Sequence, residues 1–314
     1  MPEGDSVFRA CRELDEALAG ATLVRAELRV PRLAERDLVG WEVTDVSPRG
    51  KHLLIHLAAP ASEPGRREGL TLHSHLMMEG RWHTDVIGPG EAFGPWRAPA
   101  HQARIVLEAE RPDGRRARAI AFEVQQVRLV RRAEEPALVG HLGPDLLDPD
   151  WDDEHAAEAI RRLREHPERA VGLALLDQRV IAGIGNIYRS ELCFLTGVHP
   201  AAPVSACTDL PRLVDLAHRL LRVNRDRSVR VTTGGMMGPR ADLWVYGRAR
   251  QPCRRCRTPI RREEITDPAA PEQQERSIYV CPRCQATGAP TARSAPRPAG
   301  TPPLHSRPPR PRRA

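Results

Sequence analysis

The plainest chemistry in this chain belongs to four cysteines, spaced as Cys253-x-x-Cys256 and Cys281-x-x-Cys284. Each pair offers two thiolates from one tight turn, and two such turns close a tetrahedral shell around a single Zn²⁺. With all four ligands supplied by protein, no position is left for a catalytic water, so the expected ion is structural. A pair of redox dithiols would need a strand-then-helix setting that these motifs lack. The intervening RTPIRREEIT and QERSIYV suit the two strands of a β-hairpin, which puts Arg276 near the hairpin end and close to the metal turn. Cys11, Cys193 and Cys207 are scattered and read as plain buried thiols.

The second candidate is the N-terminus, Met1-Pro2-Glu3-Gly4-Asp5. Removal of Met1 ahead of a proline leaves a secondary amine at the chain start. An α-amine titrates near ~8, against ~10.4 for a lysine side chain, so more of it is free at neutral pH. Condensed with a sugar aldehyde, it gives an iminium with no N–H proton to lose, which stays cationic and draws electrons from neighbouring C–H bonds. Glu3 beside it is a candidate general acid or base. The same residues also suit an ordinary helix start, with Pro early and acids in the first turn.

Lys51 is the single lysine among 48 basic side chains, and it follows the turn Ser47-Pro48-Arg49-Gly50. It reads as a Schiff-base nucleophile, a phosphate contact or a lysine that merely persists. The better electron sink at Pro2 favours an ammonium that donates to a phosphate and assists the chemistry. In Val180-Ile181-Ala182-Gly183-Ile184-Gly185-Asn186-Ile187-Tyr188, two glycines precede a helix and expose backbone N–H groups at its positive end, a seat for a phosphate. A tight helix–helix turn is the competing reading. His73, His75 and His83 have no evident acidic or cysteine partner and read as strand residues.

These groups must be positioned by distinct elements. Val7, Ala10, Cys11, Leu14 and Leu18 recur at helical spacing and predict a helix over 3–19 that ends at Gly20. From Thr22 to about Leu129 come short β-type runs, TLVRAELRV, WEVTDVS, HLLIHL, LTLHSHL, ARIVLEA and ARAIAFEV, separated by Pro48-Arg49-Gly50, Pro64-Gly65 and Asp113-Gly114. Residues 85–100 read as a Gly/Pro-rich loop. Helices are expected over 152–166, 169–178, 186–196 and 209–227, and a cysteine-bearing ribbon over 245–288. The fold class is therefore α+β and multidomain: a helix with an antiparallel sandwich or barrel over 1–135, a helical domain over 136–240, a metal hairpin over 241–288 and a disordered Pro/Arg-rich tail over 289–314.

Charge separates these regions. Residues 1–200 carry −6, residues 201–289 carry +7 and residues 290–314 carry +6, so the basic character is C-terminal, as a polyanion grip requires. A solvated surface in an arginine-rich chain is the plainer alternative. No apolar run reaches about 18 residues and no signal pattern opens the chain, so a cytoplasmic protein with no membrane partner is expected. With aromatics at 4%, the cores must be mostly aliphatic.

Taken together, Pro2-Glu3-Gly4-Asp5, Arg49-Gly50-Lys51, Ser74-His75-Leu76, Gly183-Ile184-Gly185-Asn186-Ile187-Tyr188, Val245-Tyr246-Gly247-Arg248 and Arg276 ahead of the second cysteine pair occur in one order. That set resembles the formamidopyrimidine-DNA glycosylase / endonuclease VIII family over residues 2 to about 285. The resemblance implies an N-terminal helix and β-sandwich, a helix–two-turn–helix domain and a zinc finger, in a monomeric base-excision repair enzyme that is both glycosylase and abasic-site lyase. It implies Pro2 as nucleophile at the deoxyribose C1′, Glu3 as the acid/base that helps open the sugar, and Lys51 at the lesion phosphate. It further implies Asn186 and Arg276 on the phosphates beside the damaged nucleotide, Arg276 also serving catalysis, and strand scission by β,δ-elimination. Met77 and Met78 stand where the family places wedges that fill the vacated stack; core methionines are the alternative.

The start Met1-Pro2-Glu3-Gly4-Asp5 looks like the endonuclease VIII branch. The run Phe122-Glu123-Val124-Gln125-Gln126-Val127 lacks the arginines and phenylalanine of the oxidised-purine branch, so oxidised pyrimidines are expected. The expected partner is damaged duplex DNA, with single-stranded or bubble DNA left open. Asp267-Pro268-Ala269-Ala270-Pro271 reads as an insertion in the finger. The alternative of another class is a zinc-finger DNA-binding protein that recognises damage without cutting, which would need neither Pro2-Glu3 nor Lys51.

Overall fold

The computed structural model describes residues 2–60, 68–234, 242–266 and 276–286, with the Arg276 side chain outside that set. Met1, the Pro64-Gly65 turn, the insertion at 267–271 and the tail at 289–314 lie outside the described residues.

Helix α1 (Gly4–Leu18) buries Val7, Cys11, Leu14, Ala17 and Leu18 along one stripe, as its spacing predicts. The chain turns away at Gly20, whose φ of +74° costs a glycine little. Eight antiparallel strands follow: β1 (Thr22–Leu28), β2 (Glu42–Arg49), β3 (His52–Ala58), β4 (Leu70–His75), β5 (Arg81–Ile87), β6 (Ala103–Glu110), β7 (Arg116–Phe122) and β8 (Gln126–Arg131). Their order is β5-β7-β6-β1-β2-β3-β4-β8. Strands β1 and β2 share only the pair Thr22↔Glu42, so the sheet divides there into two four-stranded halves. Leu23, Val43, Leu53, Ile55, Leu72, Ile105 and Leu107 fill the sandwich with the α1 stripe, and Ala117, Ala119 and Ala121 line β7. The core is mostly aliphatic, as the low aromatic content requires, with Trp41 and Trp82 as its aromatic members.

Strand β3 is buried on both faces, which explains its unbroken run HLLIHL. Leu53, Ile55 and Leu57 face the sandwich core, whereas Leu54 packs on Leu138, Val139, Leu142 and Ala182 of the helical half. Glu135, just ahead of α2 (Pro136–Val139), accepts the Thr71 hydroxyl at 2.7 Å and lies 2.9 Å from His56 Nε2, tying the crossing point to β3 and β4.

Strands β5 and β8 are additions to the six expected. Both lie at the sheet's ends; β8 exposes Gln126, Arg128 and Arg131, a polar defence of an edge, whereas β5 mixes Arg81, His83, Thr84 and Asp85 with its apolar residues, so neither gives a clean apolar alternation. The predicted loop over 85–100 accordingly begins only after Ile87.

The helical half holds α3 (Asp153–Arg164), α4 (Val171–Ala174), α5 (Asn186–Thr196) and α6 (Leu210–Asn224). The helix expected over 169–178 shrinks to one turn. The Asp177 carboxylate accepts the Arg179 N–H and pairs with Arg169, a local alternative to helix continuation. Helix α6 stops at Asn224, whose side chain bonds the Val231 N–H and carbonyl and folds the chain back.

Strands β9 (Arg261–Ile265) and β10 (Arg276–Val280) form the expected hairpin. Arg276 pairs with Ile265 at the loop end, five residues from Cys281, so the expectation that it lies close to the metal turn is corrected. At about 3.4 Å per residue the strand carries it some ~17 Å away. Among the described residues no helix is long and apolar enough to cross a membrane.

Candidate active site

Pro2 is half-buried at the foot of α1, and Glu3 is fully buried with an extended backbone. The Glu3 carboxylate does not cap its own helix. It crosses to α5 and accepts the backbone N–H groups of Gly185 at 2.9 Å, Ile187 at 2.7 Å and Tyr188 at 3.2 Å. The Gly4 N–H donates to the Gly183 carbonyl at 2.9 Å. This contact accounts for the glycines. A Cβ on Gly185 would sit 2.5 Å from Glu3 Cδ, one on Gly4 would sit 2.9 Å from Gly183 Cα, and Gly183 has φ +107°.

The expected phosphate seat at this helix start is thus corrected: the anion that fills it is Glu3. Asn186 is the one residue of 181–194 that is not buried, so its side chain is what this stretch presents outward.

Behind Glu3, the buried Asp5 carboxylate takes the Tyr188 hydroxyl at 2.9 Å and both Nε and a terminal nitrogen of Arg230, which also reaches the Ser6 hydroxyl at 2.6 Å. Burial, reinforced by the Asp5 charge, pushes the Tyr188 hydroxyl above its usual range. Replacing Asp5 by Ala leaves Arg230 and Tyr188 buried without this acceptor, and should cost about 3–5 kcal/mol in urea unfolding. A loss within experimental error would show that the pair contributes nothing.

The turn bearing Lys51 arrives from the sandwich side. Gly50 has φ +59°, and a Cβ there would lie 3.1 Å from Ala182 Cβ and 3.9 Å from the Gly183 nitrogen. Lys51 and the Pro2-Glu3 pair therefore flank the same segment, 182–187, one from each side. Next to Lys51, His52 stacks on His73 with its Nδ1 2.8 Å from His73 Nε2, and His75 and His141 complete the cluster. His73 and His75 are strand residues of β4 and His83 of β5, as expected.

Beyond β4, His75 accepts the Met77 N–H at 3.0 Å, holding Met77 half-buried at φ +53°. Met78 is 59% exposed at the turn, so it is no core residue. Gln125 and Gln126 are exposed, and Gln126 is paired with His75, so the turns at 48–51, 76–80 and 123–126 emerge at one end of the β3-β4-β8 sheet.

The four cysteines converge, their sulfurs all within 4.8 Å of one another, as metal ligands would. Sγ–Sγ separations of 3.4 Å for Cys256–Cys281 and 3.9 Å for Cys253–Cys284 bracket the ~3.8 Å edge of a tetrahedron with 2.3 Å Zn–S bonds. Arg255 N–H and Cys284 N–H each lie 3.4 Å from the first sulfur of their turn. The Thr258 hydroxyl lowers the Cys256 thiol, whereas burial raises Cys281 and Cys284.

Two residues passed over by the sequence reading hold this module to the centre. Glu191 is wholly buried on α5 and accepts the Thr232 hydroxyl and the N–H groups of Trp244 at 2.7 Å, Val245 at 2.9 Å and Tyr246 at 2.9 Å. Arg189, on the same helix, donates to the Ser277 carbonyl of β10 at 2.6 Å. They are the only charged residues of α5, a signal that was available. Arg276 is placed by its backbone alone, at the loop end of β10.

A family model described as formamidopyrimidine-DNA glycosylase N-terminal domain matches residues 1–123, and one described as formamidopyrimidine-DNA glycosylase H2TH domain matches residues 142–230. A probable endonuclease 8 2 of Streptomyces coelicolor is 49% identical over 296 residues, covering 92% of this chain and 96% of its own length. A DNA-(apurinic or apyrimidinic site) lyase of Mycolicibacterium smegmatis is 43% identical over 285 residues, covering 91% and 99%. The crystal structure of Lactococcus lactis Fpg in complex with DNA containing N7-benzyl-Fapy-dG superposes with TM-score 0.67 at 23% identity, over 90% of this chain and 99% of that one.

Proposed function

This chain belongs to the formamidopyrimidine-DNA glycosylase / endonuclease VIII family and is a DNA glycosylase and abasic-site lyase of base-excision repair, and from that premise we propose that Pro2 is its nucleophile. The observation that carries the reading is the clasp of Glu3 onto α5, which sets the chain start in the junction of the two halves, across from the Lys51 turn.

The Pro2 nitrogen attacks C1′ of the lesion nucleotide, the glycosidic C–N bond breaks, and the damaged base leaves with a proton. Glu3, its position fixed by the three backbone donors, gives a proton to O4′ as the C1′–O4′ bond breaks, opening the ring to an iminium between Pro2 and C1′. The resulting iminium loses its C2′ proton and the 3′ C–O bond breaks; a second elimination releases the 5′ phosphate. Lys51 serves the lesion phosphate and aids catalysis, while Asn186 and Arg276 hold the neighbouring phosphates, Arg276 also serving catalysis. Met78, at the exposed turn, is the better suited of the two methionines to enter the vacated stack, with Met77 setting its turn. The substrate we read is damaged duplex DNA bearing an oxidised pyrimidine. The chain acts as a monomer, and its domains run over 1–135, 136–240 and 241–288.

Borohydride trapping on duplexes with an abasic site or an oxidised pyrimidine tests this. Covalent capture of processed protein is expected, with none when Met1 is retained behind an N-terminal tag; full activity of the tagged protein would exclude the Pro2 amine. Lys51→Arg keeps partial capture if Lys51 assists, and loses all of it if Lys51 is the nucleophile.

For the cysteine centre we read one structural Zn²⁺ held by Cys253, Cys256, Cys281 and Cys284. Native mass spectrometry should find one Zn²⁺ per chain. Cys253→Ser should cost the metal and at least about tenfold in DNA affinity, since metal binding here is folding free energy for the finger. Retained affinity without metal would count against it.

A further inference from the structure

The Lys51 turn is held in place by the other half of the molecule. Its Gly50 N–H donates to Asp145 Oδ2 at 2.6 Å, across the junction. Asp145 is 4% exposed, and its second oxygen takes the Leu147 N–H at 3.0 Å, so the carboxylate cannot swing. Its backbone is registered against Ala182 by a parallel bridge, with the Ala182 N–H on the Pro144 carbonyl at 2.9 Å and the Leu146 N–H on the Ala182 carbonyl at 3.3 Å. The Arg49 guanidinium lies 3.9 Å from Asp145 and 3.7 Å from Asp148, and reaches the Gly143 carbonyl at 3.3 Å. On the far side of Ala182, Gly183 and Gly185 carry the Gly4 and Glu3 contacts. Segment 182–185 thus holds the N-terminal pair directly, and through Asp145 it holds the lysine turn, with the Arg49 contacts alongside.

We propose that Asp145 is a positioning residue for catalysis: by accepting the Gly50 N–H it sets the ammonium of Lys51 against the frame that holds Pro2 and Glu3. Burial pushes the Asp145 carboxyl up, and the Gly50 and Leu147 N–H groups oppose that. A backbone N–H bonded to a carboxylate is stronger and shorter than one bonded to an amide, which suits a contact that must hold a turn one residue from the working side chain. The inference rests on the reading of Lys51 as an assisting cation.

A double-mutant cycle separates the two claims. Asp145→Asn is isosteric but offers one acceptor oxygen for two N–H donors. Strand cleavage at a preformed abasic site is measured in single turnover for the parent, Lys51→Ala, Asp145→Asn and the double variant, with melting temperatures recorded alongside. If Asp145 works through Lys51, Asp145→Asn alone slows cleavage by about tenfold and adds nothing in the Lys51→Ala background. Multiplied losses, or an unchanged rate in Asp145→Asn, overturn the inference while leaving the role of Lys51 intact. If Lys51→Ala itself cleaves at the parental rate, it is the reading of Lys51 that fails. Should Asp145→Asn melt below the assay temperature, Asp145→Glu is compared at a lower one, where a merely structural role would leave the cleavage rate of the folded protein unchanged.

Discussion

Replacing Glu3 by Gln should slow removal of a damaged base by about 10³-fold, within the range a general acid or base supplies. It should also destabilise the protein, which an amide in place of an exposed carboxylate would not do. The Glu3 oxygens accept from Gly185, Ile187 and Tyr188, all at the positive end of α5. An amide keeps its oxygen for the Gly185 and Tyr188 donors, which share one Glu3 oxygen, and turns its NH₂ towards the Ile187 N–H. One buried N–H then faces a donor instead of an acceptor, a loss of about 1–3 kcal/mol. Abasic-site cleavage, which needs Pro2 more than Glu3, should fall far less than base removal. Excision of an oxidised pyrimidine and a urea melt on one preparation check both halves. Normal excision would show the assigned role of Glu3 to be wrong, and unaltered stability would show that the clasp is not what holds the N-terminus.

The second large effect is a loss of stability on mild acidification. Burial, with the neighbouring rings and Lys51 adding to it, lowers His52 to about 3; burial likewise lowers His73 and His75 to about 4. The groups facing them are Lys51, His141 and Arg128, all adding to the depression, and Glu135, which opposes it at His73. Because these folded values lie below the unfolded one, the stabilisation is complete above about pH 6.5 and drains away as pH falls towards 4. At pH 5 each ring forfeits about 2 kcal/mol, and the three together several. Asp177, where burial is overridden by Arg179 and Arg169, is held low and loses its contribution only in stronger acid. Urea midpoints at pH 7.5 and pH 5 should therefore differ strongly for the parent. They should differ much less for a His52→Leu/His73→Phe variant, whose substitutions also relieve the buried, unbonded Nδ1 of His73. Equal pH dependence in both proteins would place the titration elsewhere.

What could be read in the sequence follows from range. The α1 stripe, the run of β3 and the paired cysteines are local patterns with one physical meaning each, and the structure keeps them. The edge strands β5 and β8 escaped because polar and charged residues interrupt their apolar ones, which blurs the alternation. The helix start at Asn186 was read as an anion seat, and an anion does occupy it; that the anion is the chain's own Glu3, from 182 residues away, no local pattern could disclose. Asp145 and Glu191 were passed over for the same reason. An acid among apolar neighbours shows that something must satisfy it, but not what. Arg276 was placed too near the cysteines because strand length, rather than sequence proximity, decides where a hairpin residue ends.

The span of the Glu3 clasp also bears on how the enzyme comes into being. Its contacts join residue 3 to residues 185–188, and the Asp5–Arg230 pair joins positions 225 apart in the chain. Contacts of such separation are the last whose closure entropy is repaid in folding. The N-terminal residues leave the ribosome long before the helix that receives Glu3 is made, and domains fold as units in order of synthesis. The sandwich and its N-terminal residues therefore exist for a time without the clasp that holds Glu3. Synthesis arrested before α5, or proteolysis that removes the second half, leaves Glu3 without the three backbone donors that hold it in place.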